Sequence, residues 1–274
     1  MRRRWPQIIA YAILAAASAA MAAPFLWMVV SAMKTNAEIF SSPWSLPSRW
    51  HFENFKNAIV IGRLHRYALN SLIVTSTTVA ALLFLSSLAA FAFARLRFPA
   101  RDILFPVFLV GLVVPLQGIL IPLFVLLREA GLLYTRGALI LPYISWGLPL
   151  AIYVLRAYFL NIPSELEDAA RIDGCGSFGL YWRVLLPVAK PALAAVTIFS
   201  ALDAWNELLL VQLFIMNDEL YTLPMGILNF SGHHSSDYPL IFAGLSLVAL
   251  PMIALYVALQ KWFIRGLTSG AVKG

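Results

Sequence analysis

Two stretches of 26 residues each, 8–33 and 69–94, contain no charged side chain. A helix that crosses a bilayer needs about 20 predominantly apolar residues, so each stretch is long enough to span one. Backbone polar groups cannot bond to water inside lipid and must be satisfied within the segment, which favours α-helices. Continuous apolar runs of this length fit poorly to the alternating strands of a membrane β-barrel.

Four further apolar stretches complete a prediction of six transmembrane helices. The chain is therefore predicted to be an all-α, polytopic membrane protein with a single transmembrane domain over 1–274. The predicted spans are about 8–33, 69–94, 103–127, 137–155, 191–216 and 239–260. The third and fourth of these contain prolines, and the fifth contains Asp203 and Glu207.

The first stretch has a second interpretation. Three arginines at 2–4 precede an apolar run that contains Ala20-Met21-Ala22, a pattern that is also typical of a secretory signal peptide. The apolar run continues through 25–30, past any cleavage site at these small residues. Its span length favours a retained signal-anchor helix.

Composition excludes the soluble classes of protein. Hydrophobic residues make up 61% of the chain and charged residues 12%, against about 25% charged in an ordinary soluble domain. The single cysteine, Cys175, excludes an internal disulfide and a cysteine-based metal site. His233 and His234 are adjacent but have only Asp237 as a nearby acid, so no metal site is predicted.

The distribution of basic residues predicts the orientation, because cytoplasmic loops carry an excess of Lys and Arg. With the N-terminus inside, the inner segments hold 13 of the 20 basic residues and the outer segments hold 7. Both termini are then predicted to be cytoplasmic, although five basic residues in 34–66 dilute the bias. The net charge of +7 is thereby explained by topology and does not require nucleic acid as a partner.

The segment 161–190, on the predicted inner side, has the pattern of two short helices around a glycine turn. Ser164 followed by Glu167 is a capping-box pattern. Gly174 is predicted to adopt a left-handed conformation and end the first helix. After it, apolar residues recur at helical spacing over 178–185. Two alternatives remain on this reasoning: helices that lie at the membrane interface, or a rigid element that docks into a partner's groove.

This segment resembles the EAA motif of permease subunits in binding-protein-dependent ABC importers. That motif reads Glu-Ala-Ala, three residues, Gly, nine residues, Ile, one residue, Leu-Pro. Here Asp168-Ala169-Ala170, Gly174, Val184 and Leu186-Pro187 occupy these positions with all spacings intact. Asp replaces Glu and Val replaces Ile, and the aspartate is one methylene shorter.

The resemblance extends over nearly the whole chain. Further family-like segments are Asn70-Ser71-Leu72, 91–99, 115–117, 131–133, 205–207 and the C-terminal 266–274. The C-terminal segment is similar to the tail of MalG-type sugar permeases, the partners of MalF-like chains. The resemblance implies the permease fold of type I ABC importers, the carbohydrate branch of the family, and a place in the cytoplasmic (inner) membrane of a bacterium or archaeon.

A division of labour among several subunits is also implied by the resemblance. The expected partners are a MalF-like second permease, a dimer of ATP-binding subunits, an extracytoplasmic solute-binding protein, membrane lipid and the sugar, with no nucleic acid. The chain has no Gly-x-x-x-x-Gly-Lys-Ser/Thr loop for phosphates. It is therefore expected to bind no cofactor and to be no enzyme, with ATP and Mg²⁺ held by the partner ATPase.

Three sets of residues take roles that the resemblance implies. The ATPase contact through the EAA loop is assigned to Glu165, Glu167, Asp168, Ala169, Ala170, Asp173, Gly174, Phe178 and Pro187. A second ATPase contact, through the cytoplasmic tail, is assigned to Gly270 and Lys273. The contact with the solute-binding protein, between the fifth and sixth spans, is assigned to Asn229, Phe230, Ser231 and Gly232.

A candidate substrate path follows from polar residues inside the predicted spans. Asp203 and Glu207 lie four residues apart and are predicted to share one helix face, and ionisable residues in a span are functional candidates by default. Sugar hydroxyls need neutral donors and acceptors plus aromatic faces, which Gln117, Trp205 and Asn206 offer. Each of the five has the alternative role of pairing or packing between helices.

Three rivals to a sugar importer remain. A lipid phosphatidyltransferase would share Asp173-Gly174, but the further aspartates that hold its divalent cations are missing. A secondary transporter would have coupling-ion residues near broken helices and no need for the EAA-like loop. The third rival keeps the importer and changes the cargo to an amino acid, a polyamine, phosphate or a glycerophosphodiester.

Overall fold

A computed structural model describes residues 4–230 and 236–271, with side chains described for 7–230 and 236–264. These residues are helices joined by short connections, which confirms the all-α prediction. The helices are α1 (Arg4–Ser31), α2 (Asn36–Ser41), α3 (Glu53–Val60), α4 (Leu64–Arg95), α5 (Arg101–Val110), α6 (Leu120–Glu129), α7 (Gly137–Leu160), α8 (Glu165–Ile172), α9 (Ser177–Val188), α10 (Lys190–Asn206), α11 (Leu209–Phe214), α12 (Leu223–Leu228) and α13 (Tyr238–Ala271).

Four helices in the described part of the chain are long and apolar enough to cross a membrane. They are Gln7–Ser31, Leu64–Arg95, Gly137–Leu160 and Tyr238–Ile264. A fifth is added if α9 and α10, which meet at a bend of 74°, are counted as one broken span. The count of six spans and the orientation of the termini stay predictions.

The predicted third span, 103–127, is not one continuous helix. Helix α5 ends at Val110, and the chain resumes as a 3₁₀ turn at Leu116–Ile119 and then as α6. Pro115, which precedes the turn, has φ −72° and ψ 134° and no amide hydrogen to donate. Proline also disfavours helical geometry in the residue before it. The break therefore follows from a residue that the sequence displays.

The predicted fifth span, 191–216, is also divided. Helix α10 ends at Asn206, and Glu207 is extended, with φ −69° and ψ 130°. The backbone N–H of Leu210 donates to both carboxylate oxygens of Glu207, at 2.9 and 3.1 Å. Glu207 is thus used to cap α11, which begins at Leu209, and the prediction that it shares one helix face with Asp203 is wrong.

The chain divides into two compact units. One consists of Met1–Ala68 and Met225–Pro251, and the other of Leu69–Pro224 and Met252–Gly274. The second unit contains the 161–190 segment, whose buried side chains join α4, α7 and α10 in one apolar core. The core residues are Leu82, Ala90, Phe91, Ala151, Leu155, Phe159, Ile162, Ala170, Leu180, Tyr181, Leu185, Ala189, Ala192 and Val196.

Within the first unit, the segment after α1 folds around a buried lysine. Lys34 is 1% exposed, and its ammonium donates to the carbonyls of Ser42 and Pro43, at 3.1 and 3.0 Å. Thr35 and Glu38 form a capping box at the start of α2. Hydrogen bonds from Ser48 and Thr35 lower the pKa of Glu38 to about 2. Charge-assisted hydrogen bonds therefore help to hold this segment together.

Candidate functional site

Helix α8 is the first half of the 161–190 segment, and a distant arginine holds it in place. Ser164 has a helical backbone and makes no side-chain cap, so the predicted capping box is wrong. The carboxylate of Glu167 lies instead 2.7 Å from Nε of Arg95, at the end of α4. Nη2 of Arg95 also donates to the carbonyls of Phe159 and Ile162, both at 2.6 Å. One guanidinium therefore joins α4, the end of α7 and α8.

The glycine turn after α8 is a Schellman motif. Gly174 has φ +79°, which confirms the predicted left-handed conformation. The N–H of Cys175 donates to the carbonyl of Ala170 at 2.9 Å, and that of Gly174 to Arg171 at 3.0 Å. These two bonds satisfy the last carbonyls of the helix. The direction in which the chain enters α9 is thus fixed by the backbone.

Helix α9 contains a wide turn and carries two different faces. Residues Leu180–Leu185 are π-helical, and the N–H of Leu186 reaches back to the carbonyl of Tyr181. Tyr181 is 1% exposed, and its hydroxyl lies 2.7 Å from that of Ser87 on α4. Tyr181 and Leu185 are buried, whereas Phe178 and Trp182 are exposed, so the predicted apolar stripe is split between the core and the surface.

The surface of α8, the turn and α9 is apolar with an acidic border. Its exposed large apolar side chains are Leu166 (43%), Ile172 (86%), Phe178 (70%), Trp182 (43%) and Val188 (41%). A shallow depression of about 480 Å³ is lined by residues from Asp173 to Arg183. We call this surface, formed by residues 165–188, the loop face. Apolar side chains that project from a rigid base are suited to a partner's groove.

Most of the predicted EAA contacts lie on the loop face. The exposed members are Glu165, Asp168, Ala169, Asp173, Gly174, Phe178 and Pro187. Ala170 is 7% exposed and belongs to the core, while the side chain of Glu167 is 12% exposed and pairs with Arg95. Glu167 and Ala170 therefore hold the loop in place, and the other seven are available to a partner.

A cavity of about 290 Å³ lies in the same unit, among α4, α7 and α10. It brings Asp203 and Glu207 together although they do not share a helix face. The hydroxyl of Tyr143 donates to the carboxylate of Glu207 at 2.6 Å. The lining consists of Thr78, Leu82, Leu116, Pro142, Tyr143, Trp146, Gly147, Ser200, Asp203, Ala204, Glu207 and Leu210.

The other three predicted path residues do not line this cavity. Gln117 is exposed, and its neighbour Leu116 takes the lining position. Trp205 is 2% exposed and packed in the interior. The side-chain amide of Asn206 donates to the carbonyl of Leu202, one turn back in α10, at 2.9 Å. The structure thus groups two of the five predicted residues.

Four polar or aromatic lining residues were not singled out in the sequence: Thr78, Tyr143, Trp146 and Ser200. They lie on α4, α7 and α10, within apolar runs where a single polar or aromatic side chain is unremarkable. Proline breaks and helix ends decide which of them face one another. No spacing along one helix could have identified the set.

The family-like Asn70-Ser71 pair anchors the connection that precedes α12. The side-chain amide of Asn70 donates to the carbonyls of Glu219 and Tyr221, at 2.8 and 3.0 Å. Its oxygen accepts from the guanidinium of Arg136 at 2.8 Å. The hydroxyl of Ser71, beside it, accepts from a backbone N–H of the same connection. These bonds tie the connection before α12 to α4 and α7.

The predicted contacts with the solute-binding protein are described only in part. Asn229 is exposed, while the ring of Phe230 lies against Gly62 and Gly244. Ser231 and Gly232 lie outside the described residues, as do His233 and His234.

The C-terminal tail is also described only in part. The backbone of Gly270 lies in α13, and Lys273 lies outside the described residues. Among the residues that the structure describes, no group of three His, Cys, Asp or Glu side chains could hold a metal ion.

Comparison with known proteins identifies relatives over the whole chain. Residues 82–269 match the profile of the family described as binding-protein-dependent transport system inner membrane component. A probable ABC transporter permease protein of Bacillus subtilis, YurM, is 42% identical over 93% of this chain and 85% of that protein. NgcG, a permease protein of a diacetylchitobiose uptake system in Streptomyces coelicolor, is 34% identical over 97% of this chain and 88% of that protein.

One further relative and one solved structure of the same fold are named for other cargoes. SmoH, a permease protein of the sulfoquinovosyl glycerol transport system of Agrobacterium fabrum, is 35% identical over 92% of this chain and 88% of that protein. Among solved structures, a chain of a bacterial ABC transporter involved in the import of the acidic polysaccharide alginate matches with a TM-score of 0.78. That match has 21% identity and covers 95% of this chain and 97% of that chain, so it shows the fold.

Proposed function

The chain belongs to the family of binding-protein-dependent transport system inner membrane components, and from this premise we propose that it is a channel-forming permease subunit of an ATP-driven importer of sugars or sugar derivatives. Its family membership makes it a transport component of the inner membrane rather than an enzyme. The observation that carries the sugar assignment is the 34% identity over 97% of the chain to a diacetylchitobiose permease.

The class of cargo is assigned from two relatives. The diacetylchitobiose and sulfoquinovosyl glycerol relatives match over more than 90% of the chain, and both cargoes are sugar derivatives. Family membership also disfavours a secondary transporter. An importer with a glycerophosphodiester or another non-sugar cargo is the alternative that remains, because specificity is shared with subunits outside this chain.

The loop face is the surface through which we expect the ATP-binding subunits to drive the permease. The free side chains Leu166, Ile172 and Phe178 would enter the groove of an ATP-binding subunit, with Glu165 and Asp168 facing basic residues at its rim. Three supports keep this face rigid: the Arg95 contacts, the Schellman turn and the buried Tyr181. A rigid face transmits a displacement to α4 and α7 without first deforming.

Nucleotide chemistry belongs to the partner in this proposal. ATP and Mg²⁺ would be held by the ATP-binding dimer, and the permease would bind no cofactor of its own. A MalF-like second permease would complete the channel, within membrane lipid. A solute-binding protein would meet the outer side at residues 229–232, and the segment 266–274 would add a second ATPase contact through Gly270 and Lys273.

The cavity is the proposed place where this subunit meets its cargo. It presents two carboxylates, two small hydroxyls and two aromatic side chains within about 290 Å³. Sugar sites combine aromatic faces with a few convergent polar groups, and this lining has both. Gln117, Trp205 and Asn206 would act nearby, through packing rather than through the cavity wall.

Gentle extraction of the tagged chain from its native membrane tests the proposal. We expect an ATPase and a second polytopic subunit to co-purify, and the assembly to hydrolyse ATP. Phe178→Asp should lose the ATPase subunit, because it places a charge on the loop face. Trp50→Asp, at a 45% exposed aromatic residue between α2 and α3, is the matched control and should keep that subunit. A lone chain with no ATPase, under conditions that preserve other complexes, would overturn the assignment.

A further inference from the structure

The cavity among α4, α7 and α10 contains a hydroxyl that the fold does not satisfy. Thr78 is 1% exposed, and its Oγ1 has no hydrogen-bond partner among the described residues. A buried hydroxyl normally finds a partner, because leaving it unpaired costs free energy. Thr78 lines the cavity, so a ligand there could supply the missing bond.

The two carboxylates of the cavity differ in their hydrogen-bond partners. Glu207 is saturated by the hydroxyl of Tyr143 and the backbone N–H of Leu210. Asp203 has neither a hydrogen bond nor an ion pair within the described part of the chain. Asp203 is therefore the acceptor that the fold keeps available for something in the cavity.

The charge of the lining has one sign. The twelve lining residues include two carboxylates and no lysine, arginine or histidine. Trp146, which is 40% exposed, adds an aromatic face, and Ser200 adds a second small hydroxyl. The volume of about 290 Å³ corresponds to roughly ten water molecules at ~30 Å³ each, which is enough for one sugar ring.

We propose that this cavity is a sugar-contact site of the permease itself, which accepts uncharged and cationic sugars and rejects acidic ones through the free carboxylate of Asp203. The proposal rests on the proposed function as a sugar importer and adds the class of sugar. A neutral sugar would accept a hydrogen bond from Thr78, donate hydroxyls to Asp203 and stack on Trp146. A uronate or sulfonate would place a second anion beside Asp203, with no cation in the lining to offset it.

The repulsion between the two charges acts at short range. Asp203 is exposed, and two like charges a few ångströms apart repel each other even in water. The relatives differ in the charge of their cargo, since diacetylchitobiose is neutral whereas the sulfoquinovosyl glycerol permease belongs to an importer of a sulfonated sugar. A charge filter in the permease would separate this chain from such a transporter.

Protection of a single cysteine tests the proposal without knowledge of the natural cargo. Cys175→Ser removes the sole cysteine, and Ser200→Cys places a reporter in the cavity. Open membrane fragments with the assembled importer are treated with a methanethiosulfonate reagent. The modification rate is measured first without sugar and then with a millimolar concentration of one of three sugars. These are diacetylchitobiose (neutral), chitobiose (cationic) and digalacturonate (acidic). The neutral and cationic sugars should slow modification by about tenfold, and digalacturonate by less than twofold.

Asp203→Asn is the decisive variant. Digalacturonate should now protect the reporter about as well as the neutral sugar does, because the repelling charge is gone. Asp102→Asn, at an exposed carboxylate outside the cavity, is the control and should leave the selectivity unchanged. A reporter at Ser177→Cys on the loop face should be protected by none of the sugars.

Two results would overturn the inference. Equal protection by acidic and neutral sugars before the Asp203 change would remove the charge filter. No protection by any sugar would remove the contact site. Failure of the proposed function is distinguishable, because it would show as a lack of ATPase activity and of a co-purifying ATPase in the same membranes.

Discussion

The guanidinium of Arg95 lies 2.7 Å from the carboxylate of Glu167, although 71 residues of sequence separate them. The two side chains are only 14% and 12% exposed. Neither Nε of Arg95 nor Oε1 of Glu167 meets hydrogen-bond geometry, so the contact is an ion pair whose strength comes from shielding rather than alignment. It fixes the first helix of the loop face to the ends of α4 and α7.

Glu167→Gln should loosen the loop face. Removal of one partner of a shielded ion pair strands the other charge and costs up to about 3 kcal/mol. We expect faster hydrogen exchange and proteolysis within residues 165–176, and weaker stimulation of ATPase activity by the solute-binding protein. Asp102→Asn breaks the exposed pair with Arg101 and should change little, since such pairs contribute less than about 1 kcal/mol. Unchanged exchange in Glu167→Gln would mean that the pair does not hold the loop.

Gly174→Val should uncouple or disassemble the importer. Its φ of +79° is strained for a β-branched residue, at a cost of about 1–2 kcal/mol, even though there is open space for a Cβ. Gly176→Val is the matched control, because that glycine has φ −70° and equally open space. Co-purification of the ATPase subunit is the measurement. Normal assembly with normal stimulated ATPase activity in Gly174→Val would contradict the role of the turn.

The segment around α2 should lose order in acid. The pKa of Glu38 is lowered from 4.5 to about 2 by hydrogen bonds from Ser48 and Thr35. Its ionised form therefore stabilises the segment above about pH 4.5, and that stabilisation is lost as the pH falls toward 2. Hydrogen exchange of residues 35–48, measured against pH, should show this loss. Glu38→Gln should exchange faster at neutral pH and lose the acid dependence; a retained dependence would assign it to another group.

Asn70→Ala should release the connection before α12. The variant loses two bonds to carbonyls and leaves the guanidinium of Arg136 without its acceptor, at a cost of about 1–3 kcal/mol. We expect a lower unfolding temperature in detergent and faster exchange in residues 217–223. Asn161→Ala, which removes a bond to the carbonyl of Ala157 one turn away, is the control and should shift that temperature less. Equal shifts for both variants would contradict the anchoring role.

Deletion of residues 266–274 should weaken ATPase regulation more than membrane insertion. Residues Tyr238–Ile264 of α13 are by themselves long and apolar enough to span a bilayer, and they precede the deleted segment. Insertion, measured by carbonate extraction, should therefore persist. The ATPase rate of the importer should depend less on the solute-binding protein. Loss of insertion would show that the tail has a folding role.

The sequence predicts helices and turn conformations, but it does not predict which distant residues pair with one another. The long uncharged runs predicted helices that the structure contains, and Gly174 has the left-handed conformation that the pattern required. The capping box at Ser164 failed because Glu167 has a stronger partner in Arg95, far away in sequence.

The candidate cavity illustrates the same limit. Thr78, Tyr143 and Asp203 come from three helices, so no periodicity along one of them could place the three together. Glu207 was assigned to a helix face because its spacing from Asp203 suits one, but the helix ends one residue earlier. Its carboxylate then accepts a hydrogen bond from the first turn of the next helix, which is possible only because α10 ends before it.

Helices α9 and α10 meet at a bend of 74°, so their axes are close to perpendicular. A push along the axis of α9 is nearly perpendicular to α10, so it would tip α10 far more than it would slide it. Because Asp203 lies near the far end of α10, a small stroke at the loop face becomes a wider swing at the cavity wall. The leverage is set by the length of one helix, and it needs no flexible joint along α10.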